Sequence, residues 1–158
     1  SSEQLEKECF VEDTLAILKE YDFPPSQLWI EITERCRDLP ISMIKKTVTA
    51  FREAGIHITM DDYGTGSSSS QMMLELPVEG IKIDMFFVKD ILEEKKKQAL
   101  VIGMINFANA ADLRICIEGI ENDSLESYLR QFDVTCFQGY HYSMPICQDE
   151  LMKLLIKP

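Results

Sequence analysis

Two adjacent aspartates stand where an apolar segment of the chain ends. Asp61 and Asp62 follow the run Ile56–Met60 and precede a segment rich in Gly and Ser that begins at Gly64. Two like charges side by side repel each other, and keeping both ionised at a buried strand end is costly unless a cation bridges them. Hard oxygen ligands favour Mg²⁺ or Mn²⁺ over zinc. The pair therefore predicts a metal site.

Four further polar residues lie within or just after apolar, strand-like segments: Glu31, Lys82, Glu118 and Gln138. Each has a structural explanation when taken alone. Glu31 could pair with an arginine, Lys82 could neutralise a carboxylate, and Gln138 could satisfy backbone groups. Together they indicate a functional site, because it costs free energy to bring several charged side chains to one place, and active sites are where such groups are found together. Neighbouring carboxylates can each reach a separate ion, and a nearby lysine can hold a water or neutralise charge on a phosphate.

The elements that must position these residues alternate between strands and helices. Such alternation indicates right-handed crossovers and a parallel sheet covered by helices, with the candidate residues at the carboxyl edge that carries the active site in α/β proteins. The predicted strands are 28–33, 56–60, 80–84, 113–117 and 134–137; the predicted helices include Val11 to Leu18, 41 to Gly55, 71–76, 93–109, Leu125 to Phe132 and a last one from Asp149. The longest helix, 93–109, carries a broad apolar stripe and should be packed deeply.

Composition limits the function classes. The 158 residues, 46% of them hydrophobic, suit one domain, and the net charge of −11 argues against binding of a nucleic-acid polymer or an acidic membrane surface. An anionic substrate would need a metal. Five cysteines without a C-x-x-C pair predict reduced, mostly buried thiols, and a reducing cytoplasm fits. His57 is expected to be packed and His141 to lie at the pocket rim, neither with metal-site spacing.

Five ordered motifs resemble those of bacterial EAL domains, the cyclic di-GMP phosphodiesterases. They begin at Glu31 (EITE), Asp61 (DDYGTG), Ile81 (IKID), Glu118 (EGIE) and Gln138 (QGY, followed by Ser143-Met144-Pro145). The resemblance implies a modified (β/α)8 barrel that hydrolyses cyclic di-GMP to linear pGpG with Mg²⁺ or Mn²⁺.

The resemblance also implies roles for single residues. Glu31 and Asp61 would ligate one metal, and Asp61 and Asp62 would share or hold a second. Lys82 would position the attacking water, and Glu118 would act near the second metal or as a base. Supporting or substrate-binding positions would be Gln138, Glu121 and Pro145, and the loop after the aspartates would involve Glu34, Gly64, Thr65 and Gly66 and link dimerisation to metal binding.

The N-terminal part of an EAL domain has no counterpart in these residues: the Glu-Ala-Leu strand and a strand that ends in an Asn ligand are both missing. A complete barrel takes about 250 residues, so 158 supply about five of its eight units. We therefore expect 1–158 to be the C-terminal part of an EAL domain, an incomplete barrel of about five parallel strands. Open edges expose strand and apolar surface, which predicts a homodimer.

Three functional readings follow. The first is a phosphodiesterase in the parent protein, cytoplasmic or anchored through other domains, with sensory or GGDEF domains attached; the fragment alone is expected to be nearly inactive. The second is a degenerate EAL domain that acts as a cyclic di-GMP receptor or interaction module. The third, a Schiff-base aldolase, needs a lysine of depressed pKa, whereas the surrounding carboxylates should keep Lys82 charged.

Overall fold

The computed structural model describes residues 2–33, 36, 39–66 and 69–156. It contains one parallel sheet whose strands follow each other in the order of the chain, and the two outer strands are not paired with each other. The predicted α/β fold with five parallel strands and an open barrel-like sheet is thus confirmed. The strands are β1 (Trp29–Thr33), β2 (His57–Tyr63), β3 (Gly80–Ile83), β4 (Arg114–Ile117) and β5 (Cys136–Phe137).

Helices connect the strands, as a right-handed βαβ arrangement requires. Gly55, with φ of +85°, follows Ala54, the residue that caps the C-terminus of the helix after β1, where the sequence predicted a helix terminus. Asn122 caps another helix by accepting a hydrogen bond from the backbone N–H of Leu125. The helices are α1 (Ser2–Leu5), α2 (Phe10–Glu20), α3 (Ile41–Glu53), α4 (Ser69–Glu75), α5 (Met85–Val88), α6 (Lys95–Ala110), α7 (Asp123–Leu129) and α8 (Gln148–Leu155).

The core lies between the sheet and the helices on its outer side. The strands are apolar where they are covered, because both faces of a parallel sheet are normally buried. In α6 the stripe formed by Val101, Ile105 and Ala108 is fully buried, whereas Leu100 and Phe107 are 47% and 40% exposed. The predicted deep packing of α6 therefore holds for one stripe of the helix and not for its neighbour. Among the described residues, no helix is both long and apolar enough to span a membrane.

Three details differ from the sequence-based expectations. Strand β2 extends through Tyr63, so the aspartates lie within the strand and not after it. Asp84 ends no strand but caps the short helix α5, where its side chain accepts a hydrogen bond of 2.7 Å from the backbone N–H of Phe86. The prediction of mostly buried thiols was wrong, since of the five cysteines Cys36 alone is fully buried. Cys116 of β4 is half-buried, whereas Cys136 of the outer strand β5 and the residues before α2 and α8, Cys9 and Cys147, are exposed.

Candidate active site

Lys82 lies at the centre of a group of carboxylates. Its Nζ is 2.7 Å from Oε1 of Glu118, 2.9 Å from Oε1 of Glu31 and 3.3 Å from Oδ1 of Asp61. The lysine is 8% exposed, while the side chains of Asp61 and Glu118 are 18% and 19% exposed. The structure thus brings together four of the residues that the sequence singled out.

The strand register explains this meeting. Met60 of β2 pairs with Ile81 of β3, and Lys82 of β3 pairs with Cys116 of β4. The next residue of β2, Asp61, therefore lies beside Lys82, which lies beside Cys116. Glu118 directly follows β4, two residues beyond Cys116, and therefore projects to the same face of the sheet. Parallel strands present equivalent positions at one edge, which is why residues far apart in the sequence converge here.

The electrostatics of Lys82 reflect two opposing effects. Burial alone would lower the pKa of its ammonium, but hydrogen bonds to Glu118 and Glu31 and the nearby charge of Asp61 raise the pKa above that of an ordinary lysine. The lysine is therefore a permanent cation at neutral pH. A Schiff-base mechanism, which needs a neutral amine, does not fit this site.

The donor set suits a hard divalent cation. Oδ1 of Asp61 is buried and accepts no hydrogen bond among the described residues; the ammonium of Lys82 lies 3.3 Å away but is not aligned to donate to it. A buried carboxylate oxygen without a hydrogen bond is costly and is normally satisfied by a partner. Three carboxylates around one ammonium also leave a negative excess. Both features fit Mg²⁺ or Mn²⁺, which take oxygen ligands.

Asp62 occupies an unusual backbone position. Its φ is +55°, and the pairing of β2 with β3 shifts register between Met60 and Tyr63. A bulge of this kind re-aims side chains near active sites. The turn that follows is fixed by Thr65, whose N–H and hydroxyl both donate to the carbonyl oxygen of Asp62, at 3.2 and 2.9 Å. These two hydrogen bonds tie Thr65 to the backbone of Asp62.

Gln138 directly follows β5 and lines a cavity of about 310 Å³ together with Glu31 and Lys82. The following residue must be glycine, because a Cβ on Gly139 would lie 2.1 Å from the carbonyl oxygen of Ile120. That close approach is held by hydrogen bonds from the N–H of Ile120 to the carbonyl of Gln138 and from the N–H of His141 to the carbonyl of Ile120. Backbone packing therefore sets the position of Gln138.

Two predicted residues stand apart from the Lys82 cluster. Glu121 is exposed and lines a different cavity of about 260 Å³ with Gly119 and Met85. Pro145 lies in an exposed segment between β5 and α8. Glu34 lies outside the described residues.

The two histidines also lie apart from the cluster. His57 stacks on Trp29 with ring centroids 4.4 Å apart, which confirms that it is a packed residue. His141 lies 3.0 Å from Glu126 and 3.5 Å from Asp123. Within the described part of the chain, Asp123, Glu126 and His141 are the one group of three metal-ligand types whose ligand atoms lie within 4.8 Å of one another. Arg130 already pairs with Glu126, so an ion network accounts for this group.

The sequence model of the EAL domain matches residues 1–145. This chain belongs to the EAL domain family. A curated relative, the cyclic di-GMP phosphodiesterase PA2567 of Pseudomonas aeruginosa, is 30% identical over 151 residues, which are 96% of this chain and 26% of that protein. The chain thus spans about a quarter of that relative's length.

Solved structures of EAL proteins superpose closely on the chain. The EAL enzyme Bd1971, in its form bound to cAMP and cyclic di-GMP, matches with a TM-score of 0.92 and 30% identity over 98% of this chain and 41% of its own. The manganese and cyclic di-GMP complex of BlrP1 from Klebsiella pneumoniae matches with a TM-score of 0.80 and 26% identity over 87% of this chain and 35% of its own. These proteins share the barrel-like fold of this EAL chain.

The loop that follows β2 borders a groove on α6. Tyr63, Gly64 and Gly66 line this groove together with Met104 and Phe107, and the ring of Tyr63 stacks on that of Phe107 at 6.2 Å. At Gly64, with φ of +91°, a Cβ would lie 2.5 Å from Cε of Met104. The positive φ favours glycine here, whereas the methyl group of Met104, at the end of a flexible side chain, could move aside for a Cβ. Two of the predicted loop residues, Gly64 and Gly66, thus border the surface of α6.

Several residues that line the cavity beside Lys82 were not identified from the sequence. Trp29, Thr59, Cys116 and Cys136 line it; Arg114 also lines it, and its guanidinium lies over the ring of Trp29 at 5.1 Å. A signal for them was present, because alternate residues of a strand share a face. Each of the four lies two positions before a predicted site residue: Glu31, Asp61, Glu118 and Gln138.

Proposed function

We propose that this chain is part of a metal-dependent phosphodiesterase domain that hydrolyses cyclic di-GMP to pGpG. The observation that carries the proposal is the buried Lys82 ammonium held by Glu31, Asp61 and Glu118 at the carboxyl edge of the sheet, with one oxygen of Asp61 lacking a hydrogen bond. The names of the relatives supply the substrate: a phosphodiesterase of cyclic di-GMP and enzymes bound to that nucleotide.

Glu31, Asp61, Asp62 and Glu118 would hold Mg²⁺ or Mn²⁺ in a two-metal site. When bound, such ions supply activation of the attacking water and stabilisation of the leaving oxygen. Cyclic di-GMP carries two phosphodiester charges, and a chain of net charge −11 has little cationic surface with which to attract them. A metal requirement follows from this imbalance.

The protein side chains have distinct roles in the proposal. Lys82, a permanent cation, orients the attacking water and offsets charge that develops on the phosphate. Glu118, 2.7 Å from Lys82, is the candidate base that receives the proton of that water. Gln138 contacts the substrate from the cavity wall, with Glu121 and Pro145 as outer contacts. Glu34, Gly64, Thr65 and Gly66 steady the loop that carries Asp62.

The rest of the proposal concerns the protein around these residues. We propose that 1–158 form the C-terminal part of an EAL barrel, with sensory or GGDEF domains elsewhere in a cytoplasmic protein, and that this part contacts neither a membrane nor a nucleic-acid polymer. The open sheet leaves strand edges that a second copy would cover, so we propose a homodimer. Light scattering that gives a folded monomer at micromolar concentration would contradict the dimer. With only these ligands, the 158-residue chain alone should hydrolyse cyclic di-GMP very slowly.

The test of the proposed activity uses the full-length protein with cyclic di-GMP and Mg²⁺ or Mn²⁺, and pGpG is measured by chromatography. Glu118→Gln should lower kcat by about 10²–10⁴-fold, the usual range for loss of a catalytic acid–base group. Asp61→Asn should abolish metal-dependent hydrolysis, because it removes a proposed metal ligand. Glu20→Gln, at an exposed position at the end of α2, is the matched control and should leave kcat unchanged. Binding of cyclic di-GMP without any hydrolysis would replace the enzyme with the receptor function.

A further inference from the structure

Two cysteines face each other across neighbouring strands. Cys116 of β4 and Cys136 of β5 are register partners in a parallel pair, so their side chains lie next to each other on the same face of the sheet. Neighbouring strands lie about 4.8 Å apart. That spacing falls within the range of roughly 4.4–6.8 Å between Cα atoms that a disulfide bond spans. The backbone therefore already holds the two sulfurs at a separation that a small movement can close.

The pair is accessible to a small oxidant. Cys116 is half-buried and Cys136 is exposed, and both line the same cavity as Glu31 and Lys82. β5 consists of two residues and pairs with β4 alone among the described strands. A strand this short is held by few ladder hydrogen bonds, so it can shift by the fraction of an ångström that a disulfide bond needs.

The surroundings of Cys136 favour reaction. A hydrogen bond from the thiol of Cys116, opposed by partial burial and aided by the charges of Arg114 and Lys82, lowers the pKa of Cys136 to about 7. The thiolate is the form of cysteine that attacks oxidants. A cysteine of this kind beside a second thiol is the usual arrangement of a redox-sensitive pair.

We propose that Cys116 and Cys136 are a reversible oxidation site that a hydroperoxide converts into an intrachain disulfide bond. The thiolate sulfur of Cys136 attacks the peroxide, the O–O bond breaks, and a sulfenic acid and hydroxide form. The sulfur of Cys116 then attacks the Cys136 sulfur, the S–S bond forms, and the S–O bond breaks. Two thiols lose two electrons, hydrogen peroxide gains them, and the protons leave in two waters.

The disulfide bond would lie beside the Lys82 cluster. Lys82 is the register partner of Cys116, and Gln138 follows Cys136 by two residues on the same face of its strand. Directly paired positions on parallel strands leave some strain in the bond, and strained disulfides are the easily reduced ones. The oxidised form should therefore return to the dithiol with a mild thiol reductant.

The test treats the reduced full-length protein with hydrogen peroxide at pH 7, blocks free thiols and analyses the tryptic peptides by mass spectrometry. Cleavage after Arg114, Arg130 and Lys153 places Cys116 in peptide 115–130 but Cys136 and Cys147 together in peptide 131–153. The expected product is the two peptides joined, with two hydrogens lost, and dithiothreitol should release them.

Two substitutions identify the partner. Cys147→Ser should keep the joined peptides, and Cys136→Ser should abolish them. Because Cys136 and Cys147 are both exposed, the two variants are matched in their effect on folding. Joined peptides that persist in Cys136→Ser, or wild-type Cys136 that accumulates as sulfinic acid without joining, would overturn the proposal.

Discussion

Replacement of Lys82 by methionine removes the one cation that holds three carboxylates together. Its hydrogen bonds to Glu118 and Glu31 are 2.7 and 2.9 Å long, and a hydrogen bond to a charged group contributes about 1.5–3 kcal/mol. The Glu31 side chain is 48% exposed, so solvent screening limits its share to about 1 kcal/mol or less. We therefore expect Lys82→Met to lower the free energy of unfolding by about 3 kcal/mol, within the range for breaking a buried ion pair.

The measurement is urea unfolding followed by circular dichroism, in low salt without metal, and repeated with millimolar Mn²⁺. The variant should gain more stability from Mn²⁺ than the wild type, because a bound divalent cation can replace the missing charge. The pKa of Lys82 is raised in the folded state, so its stabilisation is complete below the ordinary lysine pKa of about 10.4 and is lost as pH rises through the higher folded value. The difference in unfolding free energy between the wild type and Lys82→Met should thus be constant from about pH 7 to pH 9.

Lys46→Met is the matched control, because Lys46 lies on α3 and is exposed, and lysine and methionine have similar helix propensities. Its effect should be within about 0.5 kcal/mol. Two results would contradict this prediction: a loss of unfolding free energy in Lys82→Met no larger than in Lys46→Met, or equal stabilisation of Lys82→Met and the wild type by Mn²⁺. Either result would mean that the ion cluster contributes little to stability.

Three further substitutions test the packing around the site, each by thermal or urea unfolding. Gly139→Ala should cost about 3 kcal/mol or more, since its Cβ would overlap the backbone of Ile120; a loss below about 1 kcal/mol would show that this contact relaxes freely. Ile58→Ala, at a fully buried position of β2, should cost about 2–5 kcal/mol, and a smaller loss would mean that the cavity collapses. Asn122→Ala should lower the free energy of unfolding by about 1 kcal/mol, because α7 loses its N-terminal cap, whereas Asn122→Asp should keep the cap and the stability.

The alternation of strands and helices was predictable because each element buries a continuous apolar face. Ile58, Met60, Ile81 and Ile83 are all fully buried, and such runs leave little doubt about where strands lie. The ends of the elements were harder to predict. The sequence places a charged pair after residue 60, whereas β2 continues to Tyr63, because neighbouring strands supply hydrogen bonds that local sequence does not encode.

The site was predictable to the extent that strand ends converge. Glu31, Asp61, Lys82 and Glu118 were each predicted from a charged side chain within or just after an apolar run, and the parallel sheet brings them together. The backbone of Asp62 was not predictable, because its positive φ arises from a register shift between β2 and β3. Glu121 lies in a separate cavity because the chain turns sharply at Gly119, where φ is +75°. Three-dimensional packing decides such positions.

The balance of charge at the site limits how it can bind an anion. The ammonium of Lys82 offsets one of the three carboxylates that contact it, and the guanidinium of Arg114, which lines the same cavity, offsets a second, which leaves one negative charge before Asp62 is counted. A phosphodiester that entered this cavity alone would meet net repulsion, which is strengthened where water is excluded. A divalent cation at the carboxylates reverses the sign, and it also satisfies the buried oxygen of Asp61 that has no hydrogen bond. Under the proposed function, cation and phosphodiester should therefore bind here cooperatively, because the carboxylates outnumber the cations around the cavity and would repel an anion that entered alone.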